Sequence, residues 1–234
     1  MDWNSELYRG HTALCEIDLP GQKAIAHATV AVIGAGGLGS AALIYLAAAG
    51  VGTLRLIDPD RVSESNLQRQ VIHTRADVGR LKVDSAADTI ASLNPDVKVE
   101  RHAQLLTADN AAQLLRGATV MLDCTDNFEG RRLVDRMCTL TGIPYVYGAV
   151  SRFSGHLFTR IGDSAGYTSI FGDEASQVDV PCSVGGVLNT LVGTVGTLQA
   201  TEALKVITGA GDPLVDRLLT IDLLTMQFRV LKLA

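Results

Sequence analysis

The chain has 234 residues, of which 47% are hydrophobic and 19% are charged, so it can build one sizeable α/β core but is short for two full domains. Its net charge of -5 at pH 7 and the lack of a basic run argue against a nucleic-acid-binding protein. It starts without a secretory signal and its longest apolar segment is interrupted by polar residues, so we expect a cytoplasmic protein with no membrane partner.

Apolar runs of strand length alternate with helical patterns through the first two thirds of the chain. The predicted strands cover residues 30–33, 53–57, 97–103, 119–123 and 145–149. The predicted helices between them cover residues 38–49, 79–93, 108–115 and 127–141. This alternation predicts an α/β fold with a doubly wound, mostly parallel, Rossmann-like sheet. Such a sheet binds ligands at the carboxyl ends of its strands.

The pattern changes after the fifth predicted strand. A further strand at residues 156–161 is followed by a loop at 162–181 that is rich in Gly, Ser and Asp and has almost no periodicity. Loops of this length in compact domains are usually functional or disordered. Two interpretations stay open, a flexible flap that crosses over a binding site and a mobile surface excursion.

The remaining segments complete one predicted domain. Residues 184–208 predict a long buried core helix, and residues 217–223 and 226–233 predict antiparallel C-terminal strands. With an N-terminal arm of about residues 1–28, we expect a single nucleotide-binding domain over the whole chain.

A glycine-rich turn follows the first predicted strand. Residues 34–39 read Gly-Ala-Gly-Gly-Leu-Gly and open a helix, which is typical of a turn that lets a nucleotide approach the backbone. Asp58 ends the second strand, 19 residues after Gly39, where an acidic side chain meets a ribose hydroxyl in dinucleotide-binding folds. The alternative for Asp58 is a turn aspartate before Pro59 and Asp60. These features alone suit an NAD-dependent oxidoreductase.

Beyond Asp58 the chain carries more cations than hydride transfer needs. They are Arg61, Arg69, Arg75, Arg80 and Lys82. Moving an AMP group from ATP to a carboxylate brings anions together, so the neutralisation of phosphate charge is the main catalytic task. We select Arg69 and Lys82, because arginine grips phosphate oxygens bidentately and lysine supplies a compact charge. The alternative for each is a solvated surface cation.

Two acids lie at the end of the fourth predicted strand. Residues 123–127 read Asp-Cys-Thr-Asp-Asn, and we expect both acids to face the nucleotide site. A carboxylate beside a triphosphate is best explained by magnesium, which takes one or two carboxylates plus phosphate oxygens. Asp126 is our magnesium candidate, and the alternative is a helix N-cap at that residue.

Together these motifs resemble the ThiF/MoeB family of adenylyltransferases, which activate ubiquitin-like sulfur-carrier proteins in thiamine (thiazole) and molybdopterin synthesis and are related to ubiquitin-activating enzymes. The resemblance extends to residues 65–70, Ser-Asn-Leu-Gln-Arg-Gln, and to residues 196–205 of the predicted long helix. It implies a homodimer that uses ATP and Mg²⁺ to adenylate the carrier's C-terminal glycine carboxylate. A sulfur donor, such as a cysteine desulfurase or sulfurtransferase, would then discharge the acyl-adenylate.

The resemblance also implies roles for individual residues. Catalysis is implied for Arg69, Lys82 and Asp126, with Cys182 as a further candidate. Nucleotide contacts are implied for Gly34, Gly36, Gly37, Gly39, Asp58, Asp60, Ser65, Asn66, Arg69, Gln70, Lys82, Asp126 and Asn127. For Cys182 two interpretations stay open, a thiol that joins covalently with the activated carrier and an inert or loop-anchoring thiol.

The chain departs from the family pattern at two places. The family's N-terminal arginine, which reaches the partner subunit's nucleotide, aligns with Gly10, and Arg9 lies one residue early. The two Cys-x-x-Cys pairs that hold zinc in many members are missing, so we predict no structural zinc. Besides the oxidoreductase, an inactive binding scaffold of the same fold is the remaining alternative. The combination of Arg69, Lys82 and Asp126 argues against the scaffold.

Overall fold

The computed structural model describes residues 4–172 and 185–233. Its strands are β1 Thr29–Ile33, β2 Thr53–Ile57, β3 Lys98–His102, β4 Val120–Asp123, β5 Tyr145–Ser151, β6 Ser154–Arg160, β7 Arg217–Asp222 and β8 Gln227–Lys232. They form one sheet in the order β3-β2-β1-β4-β5-β6-β7-β8. Strands β1 to β5 pair in parallel, whereas β5 to β8 pair antiparallel. The predicted α/β class, with its antiparallel C-terminal extension, is confirmed.

Helices cover both faces of this sheet. They are α1 Arg9–Thr12, α2 Asp18–His27, α3 Gly37–Ala48, α4 Lys82–Leu93, α5 Ala108–Leu115, α6 Phe128–Thr141, α7 Tyr167–Phe171 and α8 Asn189–Thr208. Alternate residues of β1 enter opposite cores: Val30 and Val32 pack with α3, α4 and α8, whereas Ala31 and Ile33 pack with α5 and α6. Because both faces are buried, β1 reads as a continuous apolar run.

Helix α4 begins at Lys82, so its predicted start at Gly79 is wrong. The segment before it pairs with the residues that follow β2: Val62 exchanges backbone hydrogen bonds with Gly79 and Arg80, and Lys82 N donates to Asp60 O at 2.9 Å. Gly79 has φ +89°, a conformation that favours glycine and is incompatible with a helix start. This pairing closes the base of the excursion between β2 and α4.

Helix α8 begins at Asn189, later than the predicted start at residue 184. Val187 forms an isolated bridge with Arg152, and Leu188 has extended backbone, so the chain still pairs with the β5–β6 turn immediately before the helix. The predicted burial of this helix is confirmed, since even Gln199 and Glu202 are buried. No helix among the described residues combines the length and apolar composition needed to span a lipid bilayer.

The first part of the predicted flap is neither a flap nor a surface excursion, because residues 167–171 form the packed helix α7. Tyr167 is 2% exposed, and its ring lies 5.5 Å from that of Tyr147 on β5. The buried Asp135 carboxylate of α6 accepts hydrogen bonds from the backbone of Tyr167 and Thr168, at 3.1 and 3.0 Å. Periodicity fails to reveal α7, since one helical turn shows no repeat. The rest of the loop, residues 173–181, lies outside the described residues.

Candidate functional site

A cavity of about 750 Å³ lies at the carboxyl ends of β1, β2 and β4. Most of the residues predicted to contact a nucleotide line it, namely Gly34, Gly36, Gly37, Asp58, Asp60, Arg69, Gln70, Lys82, Asp126 and Asn127. Gly39, Ser65 and Asn66 are not among the lining residues. The fold therefore brings three separate motifs to one cavity, as expected at the carboxyl edge of such a sheet.

The glycines of the turn between β1 and α3 serve different purposes. Gly34 has φ +99°, and a Cβ there would lie 2.7 Å from the Cys124 carbonyl oxygen, so both its conformation and its surroundings require glycine. A Cβ on Gly39 would collide with the Gly34 carbonyl, which explains why that position is glycine although it does not line the cavity. A Cβ on Gly36 would meet Gln70 Nε2 only at 3.6 Å, so this glycine leaves room for a ligand beside the backbone.

Asp58 holds this turn against the end of β2. Its carboxylate is 5% exposed, and its two oxygens accept hydrogen bonds from Ala35 N at 2.7 Å and from Asp60 N at 2.8 Å. The second bond is the turn interaction considered as the alternative for this residue. Asp58 nevertheless lines the cavity, so the turn interaction does not exclude the ribose contact, which stays a prediction.

The cations of the excursion between β2 and α4 fall into two groups. Three of them are engaged away from the cavity: Arg61 bonds to Gly79 O, Arg75 lies 3.5 Å from Glu64, and Arg80 bridges Asp77 and Asp88. Arg69 and Lys82 line the cavity. The solvated-lysine alternative is wrong for Lys82, because its side chain is 7% exposed and its Nζ lies 2.8 Å from Asp60 Oδ2.

Gln70 lines the same cavity and has an unsatisfied acceptor in its side chain. The residue is 4% exposed, and its Oε1 has no hydrogen-bond partner. A buried polar atom without a partner costs about 1–3 kcal/mol, so native proteins rarely keep one without a purpose.

At the start of α6 the structure separates two neighbouring polar residues. Asn127 is the N-cap, because its Oδ1 accepts a hydrogen bond from Gly130 N at 2.8 Å. The N-cap alternative for Asp126 is therefore wrong, and its exposed carboxylate lines the cavity. Asn127 Nδ2 donates to Asp126 Oδ1 across 3.5 Å, a long bond that leaves this carboxylate available.

Asp123 does not face the cavity, contrary to expectation. It is fully buried, Thr125 donates to its Oδ1 twice, and its Oδ2 has no hydrogen-bond partner. Burial raises the pKa of its carboxyl group, and the nearby Arg131 guanidinium opposes that shift. Asp123 is the final residue of β4. Because side chains alternate between the two faces of a strand, its side chain points away from the cavity.

Sequence reasoning missed two arginines of α6 that line the cavity, Arg131 and Arg136. Arg131 lies over aromatic rings, 5.6 Å from Phe128 and 5.8 Å from Tyr147. It also lines a second cavity of about 260 Å³ that shares Phe128, Val150 and Ser151 with the first. The signal available was that both lie on a helix that starts at the carboxyl edge of the sheet, with Arg131 in its first turn.

The cysteine and metal predictions have different outcomes. Cys124 lines the cavity, but burial raises the pKa of its thiol well above the usual range, so it is a poor nucleophile. Cys182 lies outside the described residues.

Over residues 4–172 and 185–233, no three His, Cys, Asp or Glu side chains cluster as a metal site. A magnesium ion at Asp126 would therefore take further ligands from phosphate and water.

The N-terminal residues considered for a contact in trans lie away from the cavity. Arg9 pairs with Glu6 on the surface at 3.4 Å, and Gly10 in the same short helix has open space around its Cα. Their contribution to a second subunit's site stays a prediction.

The fold and cavity define a class: an α/β domain whose cavity gathers cations and the exposed carboxylates of Asp126 and Glu129 beside its glycine turn. The ThiF family matches residues 8–234, and the chain belongs to this family. It is 44% identical to the probable adenylyltransferase/sulfurtransferase MoeZ of Mycobacterium tuberculosis over 230 residues, which cover 96% of this chain and 59% of MoeZ. The chain thus spans little more than half the length of that relative.

Two further relatives and one solved structure are also similar to this chain. The chain is 42% identical to the SAMP-activating enzyme E1 of Haloferax volcanii, over 94% of this chain and 82% of the relative. It is 39% identical to the molybdopterin-synthase adenylyltransferase of Escherichia coli, over 97% of this chain and 91% of the relative. The crystal structure of E. coli MccB with ATP has the same fold, with a TM-score of 0.83 at 18% identity, over 99% of this chain and 73% of MccB.

Proposed function

We propose that this protein is an ATP-dependent adenylyltransferase that activates the C-terminal glycine carboxylate of a small ubiquitin-like sulfur-carrier protein. The observation that carries the proposal is the shared cavity at the glycine turn, in which Arg69, Lys82 and Asp126 meet. An oxidoreductase would need neither both cations nor the free carboxylate. The adenylyltransferases of 39–44% identity in the same family support this choice.

The cavity offers a complementary surface for each part of ATP. Its apolar wall, which includes Ile57, Leu106 and Leu133, suits the purine. Asp58 can accept a hydrogen bond from the ribose, since each carboxylate oxygen has a second lone pair. The phosphates then extend towards Arg69 and Lys82.

Asp126 is the residue that would hold magnesium, together with phosphate oxygens. The chemistry of the donor fits, because an exposed carboxylate beside a polyphosphate is the usual protein ligand of this ion. When bound, the ion would neutralise phosphate charge.

The proposed reaction joins two anions. The carrier's carboxylate oxygen attacks the α-phosphorus of ATP, the bond from that phosphorus to the bridging oxygen breaks, and pyrophosphate leaves with the electron pair. Arg69 and Lys82 lower the barrier by neutralising the charge that builds on the phosphates. Lys82 has three donors, so it can bind phosphate while keeping its bond to Asp60.

The second cavity is the proposed path of the carrier's tail. It is smaller than the first cavity, it is lined by the aromatic residues Tyr147, Tyr167 and Phe171, and it meets that cavity at Arg131. A glycine tail has no side chains and needs little space there. The Arg131 guanidinium at the junction would offset the repulsion between the incoming carboxylate and the triphosphate.

The wider setting of the reaction is also proposed. We place it in the cytoplasm, in a homodimer, with a cysteine desulfurase or sulfurtransferase that discharges the acyl-adenylate in thiamine or molybdopterin synthesis. Relatives named for molybdopterin synthase favour the second pathway. Purified thiazole-branch and molybdopterin-branch carriers, compared as substrates, distinguish the two.

The test is carrier-dependent exchange of labelled pyrophosphate into ATP. We expect exchange with at least one carrier, and a loss of about a hundredfold or more in Arg69→Ala, as for the removal of other transition-state donors. Arg75→Ala is the matched control, because Arg75 lies in the same excursion but pairs with Glu64 on the surface. Absence of exchange with every carrier tested, or an equal loss in the two variants, would refute the proposal.

A further inference from the structure

His73 lies behind the nucleotide turn and belongs to none of the motifs described above. It is 5% exposed and follows the residues 65–70 segment. Its Nε2 lies 3.1 Å from the Ala35 carbonyl oxygen, and its Nδ1 lies 2.8 Å from Ser85 Oγ. The ring thus connects the centre of the glycine turn with helix α4.

The chemistry of these partners determines where the ring proton lies. A carbonyl oxygen only accepts hydrogen bonds, so Nε2 must carry a proton and donate it to Ala35. In the neutral ring Nδ1 is then the acceptor, and the Ser85 hydroxyl donates to it. Burial, with the nearby charge of Lys82, lowers the pKa of His73, although Asp77 and Asp58 oppose the shift. Both ring nitrogens are satisfied in this neutral form.

Ala35 is held from both sides by this arrangement. Its N–H donates to Asp58 Oδ2 at 2.7 Å, and its carbonyl accepts from His73. Ala35 has no side chain able to anchor it, and its neighbours Gly34 and Gly36 are the least restricted residues in a chain. The two polar contacts therefore fix the orientation of a turn that would otherwise lose much conformational entropy on binding a ligand.

The same contacts connect the turn to the phosphate-binding lysine. Ser85 lies one helical turn after Lys82 on α4, and it is 1% exposed. We propose that His73 is a positioning residue for nucleotide binding: it holds the Ala35 peptide, and hence the glycine turn, at a set distance from Lys82. This role rests on the proposed use of ATP.

The experiment compares two amide substitutions at this position. His73→Gln places an N–H donor where Nε2 lies, whereas His73→Asn retains only a group near Nδ1. The dissociation constant for magnesium-ATP is measured by calorimetry, and stability by urea denaturation. We expect His73→Asn to weaken ATP binding about tenfold, the factor that corresponds to one hydrogen bond of typical net strength, while His73→Gln stays within about threefold of the original chain.

A merely structural histidine would give a different result, with both variants losing stability and ATP affinity together. Equal affinities in the two variants would overturn the inference. If His73→Asn does not fold, Ser85→Ala replaces it, because it removes the donor that fixes the ring tautomer. That variant should speed amide exchange across residues 34–39, and unchanged exchange would equally overturn the role. Failure of the original chain to bind ATP would instead refute the proposed function, and the role with it.

Discussion

Two buried polar sites of this molecule, at Gln70 and at Asp135, differ in how completely their hydrogen bonds are satisfied. Asp135 accepts from the Tyr145 hydroxyl at 2.9 Å, from the Arg160 guanidinium and from two backbone amides at the start of α7. Gln70, equally buried, leaves its Oε1 without a partner beside the nucleotide cavity. The saturated site holds the fold together, whereas the incomplete one lies in the wall of the cavity, where we expect it to contact a ligand.

The largest expected effect falls on chemistry at the cavity. Asp126→Ala should reduce carrier-dependent pyrophosphate exchange by about a hundredfold or more, because it removes the proposed magnesium ligand from the cavity. Stability should stay nearly unchanged, since Asn127 is the helix N-cap. Asp96→Ala, an exposed acid in the turn before β3, is the control. A large loss of stability in Asp126→Ala would indicate a structural role instead.

The next largest effect is a loss of stability when Asp135, the saturated site, is changed. Asp135→Asn removes the charge that pairs with the part-buried Arg160 and should lower the free energy of unfolding by about 3 kcal/mol, as expected for breaking a buried ion pair. The midpoint of urea denaturation measures it, with the exposed Asp163→Asn as control. The affinity for magnesium-ATP in the folded protein should change little. A stable variant that fails to bind ATP would contradict the division between the two sites.

A smaller effect is expected at the incomplete site. Gln70→Leu removes an unsatisfied acceptor, so stability should be equal or slightly higher, while ATP affinity falls about tenfold. Gln199→Leu is the informative counterpart, because Gln199 bonds to Asp123 O, Val146 O and the Cys124 thiol. That change should destabilise the protein by about 1–3 kcal/mol, through unpaired buried groups. Similar behaviour of the two glutamine variants would remove the distinction.

The smallest expected effect is a change in how stability depends on pH, through Asp77 in the excursion between β2 and α4. Hydrogen bonds from Thr74, with help from Arg80, lower the pKa of Asp77 to about 2. A lowered pKa stabilises the fold above the unfolded value of about 4, and that contribution is lost as the pH falls towards 2. Asp77→Asn should therefore flatten the decline of stability between these pH values. An unchanged slope would show that the carboxylate is not held in this way.

Much of the fold could be predicted because the signal is local. The apolar runs of β1 and β4 are continuous since both faces of these strands are buried, and the glycine turn has a distinctive spacing. The starts of α4 and α8 could not be predicted, because each depends on pairing with a distant segment. Helix α7 could not be predicted for a related reason, because a residue distant in sequence, Asp135, anchors it.

The candidate site, like the fold, could be predicted only in part from the sequence. Its residue types were evident from the chain, but the orientation of each side chain was not. Asp123 and Asp126 are three positions apart, yet one is fully buried and the other lines the cavity. Arg131 belongs to no motif and reaches the cavity only because α6 begins at the carboxyl edge of the sheet.

The sequence by itself determined the α/β class, the glycine-rich turn and the set of cations from which the proposed phosphate site is drawn, because spacing and burial pattern are properties of neighbouring residues. Tertiary structure decided which of those cations serve the site. Pairing of residues 60–62 with 79–82 turns Lys82 inward and leaves Arg61 and Arg80 in surface contacts. It also placed His73 behind the turn, since a hydrogen bond between residues 38 positions apart follows from packing and not from local pattern.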